Sequence, residues 1–156
     1  MTNSVLGLDK SGVDKVVEKL NTLLSSYQVY YQNLRGYHWN IVGKDFFELH
    51  LKFEEYYNNA QVKIDEIAER ILTLEQTPLH SFNKYLDNAA VQIHENVTDG
   101  AEAVSQIQKQ LEQLINLQRE ALKLAEENDD IATSDLMTQY ISEQEKTVWM
   151  LKSFLS

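Results

Sequence analysis

The chain has 156 residues, of which 43% are hydrophobic and 24% charged; this is one domain's worth of sequence with enough apolar material for a core, which excludes a disordered chain. There is no Cys, so disulfides, thiolate metal sites and a cysteine nucleophile are excluded, and any metal must be held by His, Asp and Glu. The 24 acidic against 14 basic residues give a net charge of -10, which disfavours nucleic acid and anionic membranes as partners and favours cations.

One Pro and five Gly leave few places for tight turns, so long helices are favoured over a many-stranded sheet and the breakers mark the joints. From Asp9 to about Asn40, Val13, Val16, Val17, Leu20, Leu23, Leu24, Tyr27, Tyr30, Tyr31 and Leu34 recur at helical spacing. Gly43 then marks a reversal. Phe46, Phe47, Leu49, Phe53, Tyr57, Ala60, Ile64, Ile67, Ala68 and Ile71 carry a second stripe to about Leu74, running back along the first. Pro78 ends that pattern, and Ser81 caps a short helix in SFNKYLDNAA inside a long crossover from Gln76 to Thr98.

A third long helix is expected from Thr98, with Asp99 and Glu102 in its first turn. Its stripe is Ala103, Ile107, Leu111, Leu114, Leu117, Ala121 and Leu124, and it ends in the acidic run EENDD. Thr133 or Ser134 caps the fourth, with Leu136, Met137, Tyr140, Ile141, Val148, Leu151 and Phe154 facing inward. Helices of this length are each about 40 Å long. Two helical hairpins joined by one long crossover predict an all-α, ferritin-like four-helix bundle with a short extra helix in the crossover, one domain over residues 1–156. No apolar window approaches a membrane span, and MTNSVLGLDKSG lacks a basic flank followed by an apolar stretch, so a soluble cytoplasmic protein with no membrane partner is expected.

Two of the four His, His38 and His50, flank the reversal, and Glu54 follows His50 at i+4 on the same helical face. Farther along, Asp65 and Glu69 form a second i, i+4 pair; like charges so placed repel unless a cation, a base or solvent lies between them. His50 and Asp65 are 15 residues apart (65 minus 50), roughly 22 Å along a straight helix, so one metal ion cannot touch both in one chain. Either these are unrelated surface groups, or the second helix pairs antiparallel with its copy and a two-fold axis generates the constellation twice per dimer. An in-bundle di-iron core is disfavoured, because it needs Glu-x-x-His pairs and no His here has a Glu three residues before it.

The run GYHWNIVGKDFFELHLKFEEYYNNAQVKIDEIAERI, Gly36 to Ile71, resembles the signature of the Dps family, the mini-ferritins, in which HWN is followed by LH and then D-x-x-A-E-R. The helix plan and the terminal TVWMLKSFL agree with it. The resemblance implies a ferroxidase site at the dimer interface, built from His38, His50 and Glu54 of one subunit with Asp65 and Glu69 of its two-fold mate. Family members commonly have Asp where this chain has Glu54. It further implies a homo-oligomer, a hollow dodecamer, that binds Fe(II), oxidises it with hydrogen peroxide or dioxygen, and stores the ferric mineral, suppressing hydroxyl radical formation. Mixed imidazole and carboxylate ligands suit iron. Trp39 beside the site is implied to intercept oxidising equivalents, whereas Tyr27, Tyr30, Tyr31 and Tyr37 are expected to be packing residues. Trp149 is expected in the core or at a subunit contact. Asp130 and Asp135, with Glu126 and Asp129 nearby, are implied to line a negative pore through which Fe(II) passes, although an extra residue lies between DD and TSD compared with the family's spacing.

Direct DNA binding is disfavoured, since the first twelve residues carry only Lys10 among basic side chains and phosphate contacts need many mobile cations. His80 and His94 are expected to be structural or exposed, and Asn96-Val97-Thr98 to be the approach to the third long helix rather than a glycosylation acceptor. The expected function is iron storage and detoxification. The rivals are a helical scaffold with no ferroxidase activity and a nucleoid-associated DNA binder without a tail.

Overall fold

The computed structural model describes residues 3–156. Its elements are α1 (Lys10–Asn40), α2 (Phe46–Thr73), α3 (Phe82–Asn88), α4 (Gly100–Glu127) and α5 (Ile131–Leu155). Four of the five starts are explained by a side chain that satisfies a free backbone N–H of the first turn. Asp9 accepts from Gly12 N at 3.1 Å, Ser81 from Lys84 N at 3.4 Å, Asp99 from Glu102 N at 2.9 Å and Asp130 from Thr133 N at 3.0 Å. Only α2 lacks such a bond, and there the reversal rests on Gly43 at φ 113°, a conformation side-chain-bearing residues rarely adopt.

Helices α1 and α2 form one antiparallel hairpin, α4 and α5 the other, and α1 packs on α4. Their facing stripes bury Val16, Leu20, Leu23, Leu34, Phe53, Ile67, Ile107, Leu114 and Met137 completely, each stabilising by about 1.5–3 kcal/mol relative to exposure. At the centre Tyr27, Gln118 and Gln144 close a ring of three hydrogen bonds. Tyr27 Oη donates to Gln118 Oε1 at 2.5 Å, Gln118 Nε2 to Gln144 Oε1 at 2.7 Å, and Gln144 Nε2 to Tyr27 Oη at 2.6 Å. The bundle axis therefore carries a neutral, self-satisfied polar cluster.

The crossover between α2 and α4 has little structure of its own, so its backbone groups are satisfied by α1 side chains. Asn21 accepts from Leu79 N, Ser26 from Ala90 N, and Asn33 both accepts from His94 N and donates to the Gln92 carbonyl. Tyr37 Oη donates to His94 Nδ1 at 2.7 Å while accepting from Gln110, which makes His94 a structural tether.

Several expectations are corrected. Helix α5 begins at Ile131 with Asp130 as its cap, not at Thr133 or Ser134; Thr133 lies inside the first turn, where its own N–H is the one capped. Helix α4 is capped by Asp99 rather than started by Thr98, because the Thr98 carbonyl accepts from Val42 N across the end of the bundle. Phe47, assigned to the inner stripe of α2, is 81% exposed, and Phe154 near the end of α5 is 41% exposed. Trp149, at 62% exposure, is not in the subunit core, so of its two expected roles only the subunit contact stands. No helix among the described residues is long and apolar enough to cross a membrane.

Candidate metal centre

The end of α1 and the first turns of α2 bring His38 and His50 into direct contact. The two rings stack at 3.8 Å between centroids and 9° between planes. Each orients the other: His38 Nδ1 donates to the His50 carbonyl at 2.6 Å, and His50 Nδ1 donates to the His38 carbonyl at 2.8 Å. A carbonyl only accepts, so both Nδ1 carry the proton and both Nε2 lone pairs are left for a Lewis acid, the orientation outer-shell bonds give to ligating histidines. Phe46 covers the other side of His50 at 4.9 Å.

Glu54, one turn farther along α2, puts Oε1 3.9 Å from His38 Nε2 with its side chain 47% exposed. That gap is too long for a hydrogen bond. It suits two donors on one cation, since first-row metals bind imidazole nitrogen and carboxylate oxygen at about 2.0–2.2 Å. Tyr57 completes the cluster: its phenol donates to Glu54 Oε1 at 3.4 Å and its ring meets His38 edge-on at 5.3 Å. Partial burial, reinforced by the Glu54 charge, holds the Tyr57 phenol above its ordinary range, so its O–H stays on as a donor.

Asp65 and Glu69 lie toward the other end of α2, both exposed. The hydrogen bond and charge of Asp65 push the Glu69 carboxyl above the ordinary carboxylate range, as expected for two carboxylates held close together. Among the described residues, no three of His, Asp and Glu gather as a metal site within one chain. The residues thus fall into an imidazole half and a carboxylate half, roughly 22 Å apart along α2.

At 100° per residue, Phe47, Leu51, Glu54, Asn58, Val62, Asp65, Glu69 and Leu72 fall within one narrow stripe of α2. The apolar members of that stripe are uncovered: Phe47 is 81%, Leu51 65%, Val62 59% and Leu72 57% exposed. Both halves of the constellation therefore share a face with uncovered hydrophobic side chains.

Trp39 is 56% exposed and its ring partner is the Arg35 guanidinium at 4.8 Å. Tyr27, Tyr30 and Tyr37 are buried packing residues. Asp130 is 3% exposed and paired with Arg70 at 2.8 Å, whereas Asp135 is exposed. Sequence reasoning missed Tyr57 and Arg70 as neighbours of the constellation. Tyr57 stands at i+3 from Glu54, a spacing that also fits the inner stripe of α2; Arg70 closes the D-x-x-A-E-R motif, but nothing local points to its partner, 60 residues away.

The ferritin-like domain family model matches residues 17–156. A DNA protection during starvation protein of Porphyromonas gingivalis is 41% identical over 150 residues, 96% of this chain and 94% of that protein. DNA protection during starvation protein 2 of Bacillus anthracis is 35% identical over 142 residues, 91% and 97% of the two chains. Among solved structures, the Dps protein of Vibrio cholerae O1, described as a member of a broad superfamily of ferritin-like diiron-carboxylate proteins, superposes with a TM-score of 0.98 at 50% identity, covering 100% of this chain and 98% of that one. The Dps protein of Bacillus brevis gives 0.91 at 35% identity, over 94% and 98%. With a family match over most of its length and relatives of this similarity end to end, the chain belongs to the Dps family of ferritin-like proteins.

Proposed function

We propose that this protein is a ferroxidase and iron store. It binds Fe(II) as substrate between subunits, through His38, His50 and Glu54 of one chain and Asp65 and Glu69 of its two-fold mate, and oxidises it with hydrogen peroxide or dioxygen. The ferric product is held inside a closed homododecamer, so Fe(II) and peroxide are consumed together and DNA is protected without contact with it. The observation that carries this reading is the shared stripe on α2. If two α2 helices run antiparallel with His50 against Glu69, residue numbers across the seam sum to 119. Glu54 then faces Asp65, Phe47 faces Leu72, and the axis passes near Asn59 and Ala60. One register covers the bare hydrophobics and unites the ligands.

The donor set of two neutral imidazoles and three carboxylates fits borderline Fe(II) and the harder Fe(III) that follows. The imidazoles hold the metal through Nε2, while the crowded Asp65 and Glu69 supply negative charge that a cation relieves. Phe82 of α3 is also 81% exposed and supports further burial on assembly. Trp39 stands beside the site as an oxidisable ring. Exposed Asp135 is proposed as the pore acid, without Asp130, whose carboxylate is already engaged by Arg70.

Co-assembly of two inactive variants tests the shared site. His50→Ala and Asp65→Asn subunits, each alone, should form assemblies of about twelve subunits that oxidise Fe(II) only at background rate. Refolded together, half of the random dimers are mixed and each mixed dimer regains one native site, so about a quarter of wild-type activity returns. Sites built within one chain give no recovery on mixing.

A further inference from the structure

A cleft of about 790 Å³ opens between α1, α3 and crossover residues 93–97, a size ordinary for a small-molecule site. Its walls carry four aromatic rings, Tyr31 and Trp39 of α1 with Phe82 and Tyr85 of α3. Gly36 also lines it, inside α1, where glycine is an unfavourable choice. No close packing requires that glycine, because a Cβ there would meet nothing within 4 Å. Its effect is to leave the cleft open. None of the five residues assigned to the metal centre lines it.

Two of the polar groups lining the cleft are fixed as donors. The Arg35 guanidinium lies 5.3 Å from the Tyr31 ring and 4.8 Å from the Trp39 ring, with one long bond to Gln32 Oε1 at 3.4 Å. Among the described residues it pairs with no carboxylate. Glu95 lines the same cleft but is exposed, where solvent screens its charge. The second donor is His94, whose tautomer follows from a chain of bonds. The His94 backbone N–H donates to Asn33 Oδ1 at 3.0 Å, so the Asn33 amide nitrogen is the group that donates to Gln110 Oε1 at 2.8 Å. Gln110 therefore turns Nε2 to Tyr37 Oη, at 2.9 Å. The phenol proton is left for His94 Nδ1, at 2.7 Å, and the imidazole carries its own proton on Nε2. Among the described residues nothing accepts from that Nε2, and no buried side-chain polar atom lacks a partner; this N–H is therefore open to the cleft that His94 lines.

We propose that the cleft binds a planar aromatic carboxylate. The rings pack against its plane, the Arg35 guanidinium takes the carboxylate with its paired donors, and His94 Nε2 donates to the same anion. A phosphate or a sugar leaves the four rings uncovered, and an uncharged apolar ring leaves both donors without an acceptor.

Calorimetric titration of the wild-type assembly with 2-naphthoate and with its uncharged isostere 2-naphthamide tests this. The carboxylate should bind at least about tenfold tighter than the amide. Arg35→Gln should abolish that preference, and His94→Phe, which keeps a ring, should weaken 2-naphthoate several-fold while leaving 2-naphthamide unchanged. Gly36→Leu fills the cleft from a position where the helix prefers Leu to Gly, so it should keep the elution and Tm of wild type and bind neither probe. Equal affinity of wild type for the two probes, a preference undiminished in Arg35→Gln, or binding undiminished in Gly36→Leu overturns the proposal. A wild-type assembly that binds neither probe, as when a second subunit occupies the cleft, overturns it as well.

Discussion

Removing the Arg70 guanidinium should destabilise the subunit far more than loss of a surface ion pair. Arg70, at 16% side-chain exposure, donates from Nη2 to Asp130 Oδ1 at 2.8 Å and from Nε to Thr133 Oγ1 at 2.9 Å. Asp130 is 3% exposed and also accepts from Thr133 N at 3.0 Å and Thr133 Oγ1 at 2.6 Å. Breaking a buried pair by deleting one partner costs about 3–5 kcal/mol, because the remaining charge stays buried without compensation. Here Asp130 keeps its two bonds from Thr133 and the positive end of α5, which places Arg70→Met near the lower figure, about 3 kcal/mol. An exposed pair would cost no more than about 1 kcal/mol. Asp130→Asn keeps a helix cap and removes the charge, so the double variant Arg70→Met with Asp130→Asn should regain at least about half of the loss. Urea unfolding of the four proteins at one fixed subunit concentration, read as a mutant cycle, measures this. The reasoning is refuted if Arg70→Met costs less than about 1 kcal/mol, or if the double variant is no more stable than Arg70→Met alone.

Three further outcomes are expected. The raised Glu69 carboxyl favours its protonated form in the folded chain, so its contribution to stability is full at acid pH and is lost as pH rises through the folded value; Glu69→Gln should therefore raise the Tm of the metal-free protein at pH 7 and leave it unchanged at pH 4, by calorimetry. Asp129 ends α4 at φ 59°, a conformation that disfavours side chains, so Asp129→Gly should stabilise by about 0.5–1 kcal/mol in urea unfolding. Tyr27→Phe opens the ring of hydrogen bonds and leaves Gln118 Oε1 and Gln144 Nε2 without partners at the bundle centre; a loss of about 1–3 kcal/mol is expected, and a loss near zero would mean that the ring carries little of the core's stability.

The helix starts were more legible than the helix ends, for a local reason. Asp9, Ser81 and Asp99 act within three residues of their own position, so their role can be read along the chain. The ends of α2 and α4 use Glu75 at φ 68° and Asp129 at φ 59° where Gly is the usual signal. In each, the chain still closes with a bond back to an earlier carbonyl, from Gln76 N to Ile71 and from Asp130 N to Ala125. At the start of α5 Thr133 and Ser134 are stronger sequence signals than the last acid of an acidic run. What settles it is Arg70, far away in sequence, which fixes the Asp130 carboxylate as cap. Phe47 reads as core by its periodicity because periodicity finds a face, not what covers it. His38 of α1 and the histidine and carboxylates of α2 stand out by spacing and motif; Tyr57 does not, since the same spacing that puts it beside Glu54 also fits the buried stripe.

The separation of the core from the candidate metal centre has a physical logic. Burying several carboxylates on the bundle axis would make folding depend on the metal, because uncompensated charge in the interior is costly. This chain holds that axis with uncharged Tyr27, Gln118 and Gln144, and no buried side-chain polar atom among the described residues lacks a partner. The repelling pair Asp65 and Glu69 sits in solvent instead, where screening keeps its cost small. On the proposed reading the subunit folds without iron, and assembly supplies each half of the constellation with its complement. Protonation, crowding and iron capture then act on the same exposed stripe of α2, while the ring at the core stays neutral throughout. Substitutions on that stripe should change iron chemistry with little loss of fold, and substitutions in the ring should do the reverse.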